Sequence, residues 1–156
     1  MTTDIRIVQF FKLTDSDGDV HRYQNYFVYS SKTFASENYA FAPFQVSGSV
    51  SSLNGDNYQV QVLFPATEYA IKLVEKGNGN RKSILQLNTR FVSESGTISN
   101  NGPSEQYVGL GASFSAETIE LRFNTAVDAV LANFPANRLN EDNVGILPLD
   151  SVLSLR

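Results

Sequence analysis

A mainly β fold, an antiparallel barrel or sandwich with one or two short helices, is what this sequence predicts from three observations. Stretches such as "NYQVQVLF" alternate apolar and polar residues with the period of a half-buried strand. Aromatics make up 12% of the 156 residues, all of them Phe and Tyr, in a chain rich in turn-forming Ser, Asn and Gly. Helical periodicity is confined to short segments. A chain of this length forms one domain, residues 1–156, with enough apolar sequence for a sizeable core.

"IRIVQFFKL" (Ile5 to Leu13) reads as a first strand with imperfect alternation, and "DSDGD" as the turn that follows it. "VHRYQNYFVYSS" (Val20 to Ser31) reads as its hairpin partner. "SEN" (Ser36 to Asn38) marks a second turn. In "FAPFQVSGSV" (Phe41 to Val50), Pro43 has no N–H to give a ladder and so belongs at a strand entry or edge. After it Phe44, Val46 and Val50 share one face of an extended chain, with Gln45, Ser47 and Ser49 on the other. "SLNGDN" holds an Asn-Gly hairpin signal. Beyond it Tyr58, Val60, Val62 and Phe64 face one way, and Asn57, Gln59 and Gln61 the other.

The period then changes. In "PATEYAIKLVEKGNGN" Thr67 is the N-cap, Ala70, Leu73 and Val74 share a helical face, and Gly77 is placed to end the helix in the left-handed region. Strands resume with "SILQLNTRFVS", where Leu85, Leu87 and Phe91 fall on one side, and with "TIELRFN", where Ile119, Leu121 and Phe123 oppose Glu120 and Arg122. Between them "SESGTISNNGPSEQ" (Ser93 to Gln106) reads as a long polar loop, mobile or ordered by a partner. "TAVDAVLANF" suggests a second short helix, with Thr125 and Asp128 in a capping-box-like arrangement and Pro135 ending it.

Composition closes several functional classes. Without cysteine the chain has no disulfide, thiolate nucleophile or Cys-ligated metal, and with one histidine, His21, it has no His-rich metal site. A net charge of −4 does not favour phosphate neutralisation, so sequence-specific nucleic-acid binding is not expected. "MTTDIRIVQFFKL" lacks the features of a secretory signal, and no apolar run reaches membrane-spanning length.

Asp15, Asp17 and Asp19 have the alternating spacing of a calcium loop. Their glycine is fourth instead of sixth, and Tyr26 stands where a bidentate Glu is required, so a solvated turn is expected. "KGNGNR" follows a helix where a phosphate loop would precede one, and reads as a linker. His21 reads as a partly exposed hairpin residue, and the carboxylates Asp142 and Asp150 as solvated surface. No catalytic, cofactor-binding or metal-ligating residue is assigned, and no enzyme is expected.

The segment "YFVYSSKTFASENYAFAPFQVSGSV" resembles phage tail-tip and baseplate-hub proteins of the lambda-type minor tail protein family, in which an extended segment, a turn and a tyrosine lead through a proline into a strand. "NYQVQVLFPATEYAIKLVEKGNGNRKSILQL" looks like their strand, short helix and return strand, and "AVDAVLANFPANRLNEDNVGILPLDS" is similar to their closing segment. The likeness is one of spaced aromatics, glycines and prolines over roughly residues 20 to 150. The cysteine-bearing iron–sulfur region of those relatives has no counterpart here, so no cofactor is implied.

The resemblance implies a tail-tube- or hub-like fold and a structural role: a homo-oligomeric ring around the axial channel, a trimer ahead of a hexamer. Such a ring would connect the tail tube to the tip and serve tail assembly and genome delivery. Its expected neighbours are the distal tail protein, tail tube, tape measure and tip or spike proteins, within a virion assembled in the host cytoplasm. The alternative is a tail-associated host-adsorption or carbohydrate-binding module, with Tyr23, Tyr26 and Tyr107 as exposed stacking surfaces. For the acidic turn, calorimetry with calcium is expected to show no micromolar binding; such binding, abolished by Asp17→Ala, would refute the turn assignment.

Overall fold

The computed structural model describes residues 5–48 and 59–125. They form nine strands and one helix: β1 (Arg6–Thr14), β2 (Val20–Gln24), β3 (Lys32–Phe34), β4 (Glu37–Phe41), β5 (Gln45–Ser47), β6 (Gln59–Pro65), α1 (Glu68–Lys76), β7 (Ile84–Val92), β8 (Ser104–Phe114) and β9 (Thr118–Thr125). All nine strands belong to one sheet in the order β3-β4-β2-β1-β7-β8-β9-β6-β5. The mainly β expectation therefore holds. Every described pairing is antiparallel except β2 with β4, so the sheet is mixed.

The sheet curls without closing its hydrogen-bonded ladder. Phe11 on β1 meets Phe64 on β6, four places along the sheet, with ring centroids 5.4 Å apart, and meets Phe44 at 5.5 Å. Only Ala42, Pro43 and Phe44 separate β4, beside one edge, from β5 at the other. The Phe44 N–H donates to Ala42 O across Pro43 (3.0 Å), a three-residue turn that suits the fixed φ of proline. The Ala42 N–H donates to Gln24 O (2.9 Å), anchoring this corner to β2. The proline at a strand entry is thus where the chain passes from one end of the curled sheet to the other.

Inside the curl, Phe11, Leu13, Val60, Val62, Phe64, Leu85, Leu87, Ile119, Leu121 and Phe123 form the larger core, with α1 packed on it through Ala70, Leu73 and Val74. Strand alternation put these side chains on one face, as expected. A smaller core lies on the opposite face, where Val8, Phe10, Tyr39 and Val92 pack with Phe34, Tyr26, Phe27 and Ile98. Phe10 stacks on Phe34 at 4.4 Å and meets Tyr39 edge-on at 5.0 Å. The imperfect alternation of "IRIVQFFKL" has its explanation here: adjacent residues Phe10 and Phe11 are both fully buried, one in each core.

Several elements differ from expectation. β2 ends at Gln24, because the Gln24 carboxamide accepts the N–H groups of Tyr26 (2.9 Å) and Phe27 (2.7 Å) and donates to Phe27 O and Ser30 O, folding the chain into a tight turn. Gly77 has φ −83°; the left-handed residues come later, at Asn78, Gly79 and Asn80. Thr67 sits at the N-cap but makes no capping side-chain bond. Phe91 lies on the side of Leu85 and Leu87 yet is half exposed, beyond the core's end.

The segment from Ser93 to Gln106 is not a free loop. Ile98 bridges to Val92 and packs on the smaller core, and β8 begins at Ser104. Deleting 95–103 would therefore remove core as well as loop. Strand β8 itself carries little apolar alternation and was not foreseen. It bulges between Gly109 and Gly111, where Asn80 and Ser83 press so close that a Cβ at Gly109 would lie 2.1 Å from Asn80 O. The expected Asn-Gly hairpin and second helix lie outside the described residues, except that Thr125 ends β9.

Phe10→Ala and Phe11→Ala are each expected to lose ~3–5 kcal/mol in urea unfolding, because each opens a cavity in a different core. Near-additivity in the double variant would support two cores, whereas a double variant no worse than either single one would contradict them.

Candidate functional site

The "DSDGD" turn is built around its first residue. Asp15 is buried, and its Oδ1 accepts the N–H groups of Asp17 (3.0 Å) and Asp19 (2.9 Å), while Oδ2 lies 3.0 Å from His21 Nε2. Burial pushes the Asp15 carboxyl up, but the bonds from His21, Asp19 and Asp17 outweigh it and hold the pKa below its ordinary value. The expectation of a wholly solvated turn is corrected for this residue: Asp15 organises the turn from inside, while Asp17 and Asp19 stay exposed. Its oxygens are occupied, and no cluster among the described residues is suited to a metal ion. Asp142 and Asp150 lie outside the described residues.

The proposed tyrosine platform does not form. Tyr107 is buried in the larger core, Tyr23 is half buried against Phe11, Phe64 and Tyr69, and Tyr26 packs on Phe27 over the smaller core. Packing against distant strands covers Tyr23 and Tyr107, each ring serving as a large apolar body, while Tyr26 lies in the turn after β2.

Two charged groups missed by sequence reading fasten the β3–β4 hairpin over the outer face. Lys12 Nζ donates to both Glu37 oxygens (2.7 and 2.9 Å), Arg22 Nη2 donates to Oε1 (3.0 Å), and Tyr39 O–H donates to Oε2 (3.3 Å). Lys12 and Arg22 are register neighbours on β1 and β2, so one carboxylate serves two adjacent strands. Hydrogen bonds from Lys12, then Arg22, hold the Glu37 pKa down at about 2. Burial first, then the Glu37 charge, pushes Tyr39 up to about 12.

Arg90 is the second group. It is 7% exposed, and none of the ion pairs among the described residues includes it. Its guanidinium donates to Thr89 O (2.8 Å), Pro103 O (2.7 Å), Ser104 Oγ (2.7 Å) and Asn88 Oδ1 (3.4 Å), and lies 5.1 Å from the Phe34 ring centroid. Its Nε has no partner. A buried cation held by dipoles and a ring, without a carboxylate, leaves local positive potential.

Two recesses open on the described surface. One, of about 300 Å³, is lined by Gln86, Asn88, Ser104, Glu105 and Gln106 beside Arg90. The other, about 450 Å³, is a more apolar groove along Pro43, Leu63, Phe64 and Pro65, with Gln45, Glu117 and Thr118 at its rim. It adjoins β5, the last strand of the sheet, whose outer edge pairs with no other described strand. Elsewhere Ile5, Ile7 and Phe91 form an exposed apolar patch, Ile7 and Phe91 being register partners. No protein-family model matches the sequence, and no curated protein matches it at significant similarity.

Because Glu37 titrates lower in the folded chain than an ordinary 4.5, its bridge adds stability that is complete above about pH 4.5 and lost as pH falls through about 2. Glu37→Gln is expected to lower the urea midpoint at pH 7, with the difference from the parent shrinking towards pH 2. A difference unchanged over that range would show that the charge does not matter.

Proposed function

We propose that this chain is a non-catalytic structural subunit of a phage-like tail, forming a head-to-tail homomeric ring in the tip or baseplate hub, a trimer before a hexamer. The tail setting rests on the resemblance of the aromatic, glycine and proline spacing. The observation that carries the assembly reading is the outer edge of β5 beside the groove of Pro43, Leu63 and Pro65. β5 carries no charged residue, whereas β3, at the opposite end of the sheet, begins with Lys32, a common guard against strand addition.

A closed ring requires two different surfaces on each copy, one fitting the other. The groove supplies a concave apolar surface, and Ile5, Ile7 and Phe91 supply an exposed apolar one elsewhere. In this arrangement the patch of one copy covers the groove of the next, with backbone pairing along β5. The polar outer face is left for the axial channel or for the other tail proteins.

Native mass spectrometry of the full chain is the test. A trimer is expected, falling to monomer in Phe91→Ser and in Leu63→Ser, both partly exposed positions. An equal mixture of the two variants is expected to form dimers but no ring, since one intact patch and one intact groove remain. A wild-type monomer, or ring formation unaffected by either substitution, would overturn the reading.

A further inference from the structure

The recess beside Arg90 has a chemistry that the assembly reading does not use. Gln86 and Gln106 face each other across β7 and β8, as do Asn88 and Ser104 one step further along. Asn88 is also in register with Phe10 of the smaller core, so these side chains share the outer face. Glu105, which also lines the recess, is in register with Leu87 of the larger core, so its side chain starts from the strand towards the opposite face.

Arg90 sets the polarity of two of the lining groups. Ser104 Oγ and Asn88 Oδ1 both accept from its guanidinium, so the Ser104 hydroxyl proton and the Asn88 amide protons are left for another acceptor. Behind them stands the buried cation without a carboxylate and with an unpartnered Nε. On the neighbouring strand β1 Lys12 is in register with Gln86, and Lys12 and Arg22 together exceed Glu37, their counter-charge among the described residues, by one. These cations next to the lining residues favour negative charge, despite the acidity of the whole chain.

The mouth is different. Gln86 and Gln106 are exposed carboxamides, each offering a donor and an acceptor about as far apart as neighbouring sugar hydroxyls. At about 300 Å³ the recess has the size of a small ligand site. We propose that it binds an anionic saccharide, with a sugar carboxylate at Asn88 and Ser104 and ring hydroxyls on Gln86 and Gln106. Recognition is by hydrogen bonds backed by a buried cation, and no aromatic ring takes part. This goes beyond the ring assembly and does not depend on it.

Titration of the full chain with trigalacturonate, followed by calorimetry and amide chemical shifts, tests the proposal. Saturable binding is expected, weakened about tenfold or more by Ser104→Ala or Gln106→Ala, one hydrogen bond to a charged or hydroxyl group being removed in each. Gln59→Ala, an exposed carboxamide outside the recess, is expected to leave it unchanged. The methyl-esterified trisaccharide should bind at least tenfold more weakly; equal binding would show that charge is not read. Acetate binding as tightly as the trisaccharide would show that the sugar is not read. Absence of saturable binding, or binding unaffected by the double Ser104→Ala, Gln106→Ala variant, would overturn the proposal outright. Repeating the titration in Phe91→Ser separates this site from assembly: the monomeric variant is expected to bind as the parent does, and loss of binding there would overturn the site's independence.

Discussion

Two adjacent phenylalanines on one strand hold the molecule together. Successive side chains on a strand point to opposite faces, so Phe10 and Phe11 can both be buried only if both faces of β1 are covered. The curl of the sheet covers one, bringing Phe44 and Phe64 round to Phe11. The β3–β4 hairpin covers the other, laying Phe34 and Tyr39 on Phe10. Each covering requires the chain to return from far along the sequence, and the corner at Ala42, Pro43 and Phe44 joins the two returns.

The smaller core explains the placement of the unusual polar groups. A three-residue strand and a short hairpin bury too little area to hold themselves against the sheet. Glu37 adds a bond to each of two strands beneath it, and Gln24 folds the chain that leads into the hairpin. Arg90 closes the far side, tying β7 to the start of β8 through Pro103 and Ser104. A hydrophobic residue at Arg90 could fill the same volume, but would leave the carbonyls of Thr89 and Pro103 without this donor. The same guanidinium that completes the small core also bonds Asn88 and Ser104, which line the recess outside it.

Much of the fold was legible because burial repeats locally. Val60, Val62 and Phe64, then Ile119, Leu121 and Phe123, announce their strands by alternation, and Ala70, Leu73 and Val74 announce the helix. β8 was not legible: its path is set by Gly109 yielding to Asn80 and Ser83, and glycine has no hydrophobicity to mark a face. The segment from Ser93 to Gln106 misled for a related reason. Its polar residues satisfy one another and the backbone, while the single apolar Ile98 supplies its contact with the core. The candidate site was harder still, since Gln86, Asn88, Ser104 and Gln106 come from two strands and carry no motif.

What the sequence by itself determined is the set of strands with strong alternation, the single described helix, the first hairpin and the role of Pro43 at a strand entry. These follow from interactions within a few residues, whose geometry is fixed by the strand or helix period. Only the tertiary structure decided that Tyr23 and Tyr107 are covered, that Asp15 turns inward, and that Phe91 is left at the surface beside Ile7. It also decided that Arg90 is buried without a carboxylate beside a recess of carboxamides. Each of these depends on which distant strand lies alongside, and alternation gives the face of a residue without giving its neighbour.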